Sequence, residues 1–91
     1  MLKLRQIIAS SCRQKILLTL SKVKRTHVTN LVRLVNSTYN QVDRNLRILE
    51  EEGIIGIKRY GRMKMIELKL ENPRTQTLLK TLHQLENSAM T

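Results

Sequence analysis

Thr38, Tyr39, Asn40, Gln41, Asp43, Arg44 and Arg47 crowd ten consecutive positions with side chains that donate or accept hydrogen bonds. An arginine fork fits the O6/N7 edge of guanine or a phosphate, and an Asn or Gln carboxamide fits the N6/N7 edge of adenine. Further on, Lys58, Arg59, Tyr60, Arg62 and Lys64 place four cations in seven residues around Gly61. Cations grouped this way suit phosphate oxygens or a minor groove. Asp43 stands apart in the first set, because a carboxylate repels phosphate. It either accepts from a cytosine amino group or orients Arg44 or Arg47, and orientation is the better fit.

Other chemistry has little to stand on. His27 and His83 are 56 residues apart with no Cys or carboxylate pattern near them, so neither reads as a metal ligand. Cys12 has Arg13 and Lys15 beside it, which favours the thiolate, but no general base accompanies it. A single cysteine also excludes an intrachain disulfide and a cysteine-based zinc site. No Ser/His/Asp set, phosphate-binding glycine loop or carboxylate pair is present, so the chain reads as no enzyme, with no cofactor.

The elements that must position these groups follow from period and caps. Ser10 or Ser11 caps a helix carrying Ile16, Leu17 and Leu20, which ends in Ser21-Lys-Val-Lys-Arg. Leu4, Ile7 and Ile8 suggest a further turn or two over 2–9. A short helix over 27–35 buries Leu31, Leu34 and Val35, with Val28 on the same side, and Asn36 turns the chain. Thr38 and Gln41 form a capping box for a helix over 38–52, with Val42, Leu46 and Leu49 inward and Gly53 at its end. Glu50, Glu51 and Glu52 lie at its C-terminus, the unfavourable end for acids, without an evident reason.

After Gly53 the period becomes two. Ile55, Ile57 and Arg59 alternate along one strand, and Lys64, Ile66, Leu68 and Leu70 along a second. The turn centres on Tyr60-Gly61 or Gly61-Arg62, and the sequence does not choose. Asn72 and Pro73 open a last helix over 72–90. Its Leu78, Leu82, Leu85 and Ala89 recur at four, three and four residues, the seam spacing of paired helices, so Leu78, Leu82 and Leu85 are expected at a dimer interface.

Composition narrows the partner. The 91 residues make one domain, with 17 Lys and Arg against 7 Asp and Glu, a net charge of +10. An excess of that size favours a polyanion, either nucleic acid or an anionic membrane surface. Residues 1–30 hold seven basic groups and no acid, and 53–70 hold five against one, so two basic blocks flank a near-neutral centre. Aromatics are 2% of the chain, which leaves the core to Leu, Ile, Val and Met and deprives RNA bases of stacking partners. The longest apolar run near the N-terminus is three residues, too short for a signal-peptide core, so the expected location is cytoplasmic, in association with the nucleoid, with no membrane contact.

The ordered set resembles a known pattern. The run Leu31-Val-Arg-Leu-Val-Asn-Ser-Thr-Tyr-Asn-Gln-Val-Asp-Arg-Asn-Leu-Arg-Ile-Leu-Glu-Glu-Glu-Gly-Ile-Ile is similar to the recognition segment of MarR- and ArsR-type winged helix-turn-helix regulators. Ser10–Leu20, with Arg13, Ile16 and Leu17, resembles their first helix. The likeness spans roughly 10–70. It implies a mainly α fold with a small β-hairpin: a three-helix core, a wing over 58–64 and a C-terminal helix. It further implies a homodimer that places the 38–52 helix in the major groove of double-stranded DNA. Asn36 stands where the pattern has glycine, and Ser37 where it is apolar. One cysteine and no aromatic cluster mean that neither metal sensing nor an aromatic-lined effector pocket is implied, and an effector is unknown. Two other functions remain open: sequence-independent architectural DNA binding with the same charges, and protein contact, which the polar 38–47 face disfavours. Lys22, Lys24 and Arg25 are further candidates for backbone contact.

Overall fold

The computed structural model describes residues 1–89, and of Ala89 only the backbone. Residue 90 of the expected last helix, and the Ala89 side chain, lie outside the described residues. The elements are α1 (Leu4–Ile7), α2 (Ser11–Val23), β1 (Arg25–His27), α3 (Val28–Val35), α4 (Tyr39–Glu51), β2 (Ile55–Tyr60), β3 (Met63–Leu68) and α5 (Pro73–Ala89). Helices α2, α3 and α4 pack on one another and on one face of an antiparallel sheet of order β1-β3-β2.

Each helix begins and ends for a local reason. The Ser10 hydroxyl accepts from the Arg13 N–H to start α2. That helix runs through Ser21-Lys22-Val23, beyond the expected break, and stops where Lys24 turns to φ 73°. Asn36 ends α3 in the left-handed conformation, with φ 52°, so asparagine does here what the resembled pattern gives to glycine. Gly53, at φ 74°, closes α4 in a complete Schellman motif. Its N–H donates to Glu50 O and the Ile54 N–H to Leu49 O, both at 3.0 Å. A β-carbon at Gly53 would also lie 3.2 Å from Asn72 Nδ2, which donates to the Gly53 carbonyl, so two constraints demand glycine. Asn72 Oδ1 accepts from the Arg74 N–H and caps α5, as expected.

The core is aliphatic. Ile16, Leu17 and Leu20 of α2 meet Leu31 and Val35 of α3, Val42, Leu46 and Leu49 of α4, and Ile54, Ile55 and Ile66 of the sheet. Ile7 joins them from α1, one turn shorter than the 2–9 stretch suggested. Leu34 departs from its expected stripe and is 47% exposed. At about 100° per residue it falls outside the arc shared by Val28, Leu31 and Val35. Leu70 is likewise half-exposed, because β3 ends at Leu68.

Two features were not anticipated. β1 is a third strand, paired to β3 through Thr26↔Ile66, and it ties the start of α3 to the hairpin. Asn45 is a buried polar residue on the inner side of α4. Arg13 Nη1 donates to its Oδ1 at 2.9 Å, while the same guanidinium donates to the carbonyls of Ile7 at 2.7 Å and Gln6 at 3.0 Å. One arginine thus satisfies a core asparagine and pins α1 to α2 and α4.

Candidate nucleic-acid interface

Helix α4 has one buried side and one open side. Val42, Asn45, Leu46 and Leu49 face inward. Asn40, Arg44 and Arg47 point roughly the opposite way and are exposed. Among the described residues the side chains of Asn40 and Arg44 make no hydrogen bond or ion pair, so both are available to a ligand. Tyr39 is also exposed, in the first turn. Thr38 is engaged, its hydroxyl accepting from the Gln41 N–H at 3.2 Å. The reciprocal half of the expected capping box is absent. Gln41 Oε1 instead accepts from the Ser37 hydroxyl at 2.6 Å, which explains a polar residue where the resembled pattern is apolar.

Asp43 sits lower on the flank of α4, with its side chain 19% exposed, and holds two cations at once. Arg47 Nη2 is 3.0 Å from one carboxylate oxygen and Lys64 Nζ, from β3, is 3.5 Å from the other. The orienting role expected for Asp43 therefore falls on Arg47 and Lys64, with Arg44 left free. Glu50 lies two turns further along the same flank and faces Arg59 of β2 at 3.7 Å. These contacts lay the hairpin against the side of α4.

The hairpin turn is Gly61-Arg62, because Tyr60 pairs with Met63. Gly61 has φ 61° and Arg62 has no positive φ, the arrangement of a type II′ turn with glycine first. Of the wing cations, Lys58 is paired to Glu67 at 3.4 Å, Arg59 to Glu50 and Lys64 to Asp43. Among the described residues Arg62 alone of the four is unpaired, at the very tip beside the exposed Tyr60. Sequence counted four equivalent cations, and ion pairs across the fold divide them into one free and three held.

A neighbouring hollow went unnoticed in the sequence. His27, Val28 and Thr29 at the start of α3 line it with Arg62, Met63 and Lys64. His27 gives α3 no side-chain cap, so the first N–H groups of that helix receive no acceptor from it. Lys22, Lys24 and Arg25 lie elsewhere. β1 runs antiparallel to β3 with His27 toward the hairpin tip and Arg25 opposite Glu67 near its base. Those three cations therefore sit at the far end from Arg62.

Two of the three acids at the end of α4 acquire a reason, Glu50 through Arg59 and Glu52 through Arg74. Glu52 accepts from Arg74 Nη2 at 2.9 Å and from the Leu2 N–H at 2.9 Å, and Arg74 also donates to the carbonyls of Glu52 and Leu2. The Arg74 hydrogen bond holds the Glu52 carboxyl below the usual glutamate range, with the Leu2 N–H adding to the effect. This knot joins the N-terminus, the end of α4 and the start of α5. Glu51 is exposed, and nothing in the structure explains it.

Solved structures share this backbone. The antimony-specific transcriptional repressor AntR superposes with a TM-score of 0.79 at 21% identity, over 97% of this chain and 78% of that one. The ArsR family transcriptional regulator RHA00566 gives 0.69 at 18%, over 96% and 86%. The repressor PagR of Bacillus anthracis gives 0.71 at 23%, over 87% and 87%. The fold is a winged helix-turn-helix. No protein-family model matches the chain, and no curated protein sequence does. The resemblance to ArsR-type proteins read from residues 10–70 thus holds at the level of the winged-helix fold and extends over nearly the whole chain.

The last helix of this winged helix corrects one expectation in part. Leu78 and Leu82 are 1% and 2% exposed within the chain's own core, whereas Leu85 is 52% exposed. The first half of α5 closes the domain, and from His83 to Ser88 every side chain is exposed. Among the described residues no group of three or more His, Cys, Asp or Glu could hold a metal, and no helix is long and apolar enough to cross a membrane.

Proposed function

We propose that the chain is a sequence-specific double-stranded DNA-binding transcription regulator that acts as a homodimer. One observation carries the reading: a recognition-type helix whose open face presents Asn40, Arg44 and Arg47, with the wing braced alongside by Lys64 and Arg59. The major groove admits such a helix, and its first-turn residues usually reach base edges. In this reading Arg44 and Asn40 read bases. Arg62, Tyr60 and the uncapped start of α3 contact the adjacent backbone or minor groove. The transcriptional repressors that share the fold lend the reading weight.

Dimerisation rests on the second half of α5. The second half of α5 carries Leu85 into solvent at the seam spacing of paired helices, an apolar position that a second helix would cover. A two-fold pair through this segment would set two α4 helices about 34 Å apart, one duplex turn, on a palindromic site.

The test is a comparison of cognate and random duplexes. Arg44→Ala and Asn40→Ala should each cost about 1–3 kcal/mol on the cognate site and much less on random DNA. Equal losses on both would leave sequence-independent architectural binding as the function.

A further inference from the structure

Among seven acids, three (Asp43, Glu50 and Glu67) are held against cations of α4 and the wing. Asp43 and Glu50 share one flank of α4, at about 100° and 80° around the helix from Val42. Stability is a poor explanation for this investment. The partner side chains are mostly open, with Arg47 71%, Arg59 56% and Lys58 55% exposed. Exposed pairs typically contribute only about 0–1 kcal/mol. In a chain of net charge +10, acids on the surface proposed to meet phosphate oppose binding. Placed there, they act on which DNA is bound rather than on whether the domain folds.

We propose that Asp43 is a specificity-determining latch. Its carboxylate holds Arg47 and Lys64 away from phosphate and fixes the angle of the wing to α4, so that indiscriminate backbone contact is suppressed and base contact by Asn40 and Arg44 decides affinity. This rests on the duplex-binding reading above and deepens it. Asp43 is the strongest of the three acids for the role, because it alone joins two cations from two elements, at 3.0 and 3.5 Å, and is itself only 19% exposed. The free cations, Arg44 and Arg62, are the ones that flank the latch on the helix and at the wing tip. On random duplex both held cations must be pulled from the carboxylate before they can displace counterions. Neutralising Asp43 removes that competition.

The experiment measures affinity for a random-sequence duplex and for the selected site across a salt series, for the wild-type chain, Asp43→Asn, Asp43→Glu and Glu71→Gln. Glu71 is exposed between β3 and α5, so its substitution makes the same change in net charge outside both the proposed duplex face and the proposed dimer segment. Each phosphate newly neutralised steepens the slope of log K against log salt by about 0.9, so two released cations should steepen it by about 1–2 and tighten random binding about 10–100-fold at 0.1 M salt. Asp43→Asn should show that change and a lower ratio of selected to random affinity. Asp43→Glu and Glu71→Gln should match the wild-type slope. An unchanged slope for Asp43→Asn, or an equal change for Glu71→Gln, would overturn the latch. Failure of the wild-type chain to prefer any sequence would instead overturn the regulator reading, while the slopes on random duplex still decide the latch. Far-ultraviolet circular dichroism of each variant checks the fold, and Asp43→Ser provides a second neutral replacement should Asp43→Asn not fold.

Discussion

Arg13 offers a prediction whose size can be worked from the geometry. Its guanidinium reaches Asn45 Oδ1 at 2.9 Å, Ile7 O at 2.7 Å and Gln6 O at 3.0 Å. Asn45 also donates from Nδ2 to Gln41 O at 2.8 Å, so its carboxamide is oriented from both ends. Removing the arginine leaves two partly buried acceptors without a donor, each costing about 1–3 kcal/mol, whereas Gln6 O is exposed and turns to water. Both bonds are only partly buried, so Arg13→Ala should cost the lower part of that sum, about 2–4 kcal/mol. A domain of this length has a total stability on the order of 5–14 kcal/mol, so that loss is severe. The melting temperature should fall by about 10–25 °C. Lysine cannot restore the fork, so Arg13→Lys should recover little. Replacing both partners by apolar groups (Arg13→Met with Asn45→Leu) should recover about 1 kcal/mol or more relative to the sum of the single changes, since no buried acceptor is then orphaned. Urea unfolding of the four species gives the cycle directly. A loss below about 1 kcal/mol for Arg13→Ala, or strict additivity, would refute the argument.

Three further outcomes are expected. Leu82→Glu places a charge in the core and should abolish cooperative unfolding, whereas Leu85→Glu, at a position 52% exposed, should keep the fold and yield monomers in sedimentation across a dilution series; the reverse pattern would refute the division of α5. Arg62→Ala should weaken cognate and random duplex alike and flatten the salt slope by about one unit, and a loss confined to the cognate site would make Arg62 a base reader instead. Glu52, with its pKa lowered by Arg74, contributes stability that is complete above the ordinary glutamate value of 4.5 and is lost as pH falls through the lower folded value. Glu52→Gln should therefore be less stable than wild type at neutral pH and lose less on acidification below about pH 4.5, as followed by thermal unfolding at each pH.

The contrast between sequence and structure follows the range of the interactions. α2, α3, α4, the hairpin and α5 announce themselves through short-range signals: an apolar stripe at helical spacing, a hydroxyl at Ser10 or Thr38, glycine after α4, a period of two around Gly61. What escaped is non-local. β1 has three residues, too few for an alternation to register, and its partner Ile66 lies far along the chain. Arg13 stood out only within the likeness over Ser10–Leu20 and as a neighbour of Cys12, because nothing near it in sequence marks Asn45 as buried. The outward face of α4 was legible from its geometry alone. The partition of the wing cations was not, because their counter-ions Asp43 and Glu50 come from α4 and Glu67 from the facing strand. The leucines of α5 were ambiguous for a different reason: one stripe serves the core at Leu78 and Leu82 and solvent at Leu85.

The central claim is that α4 reads sequence. Selection of bound sites from a random duplex pool, followed by measurement of affinity against salt for the winning site and for the starting pool, tests it most directly. The account predicts a consensus with two-fold symmetry, half-sites about 10 base pairs apart, and an affinity for it at least about a thousandfold above the pool. A pool that shows no consensus while binding falls steeply with salt would contradict it.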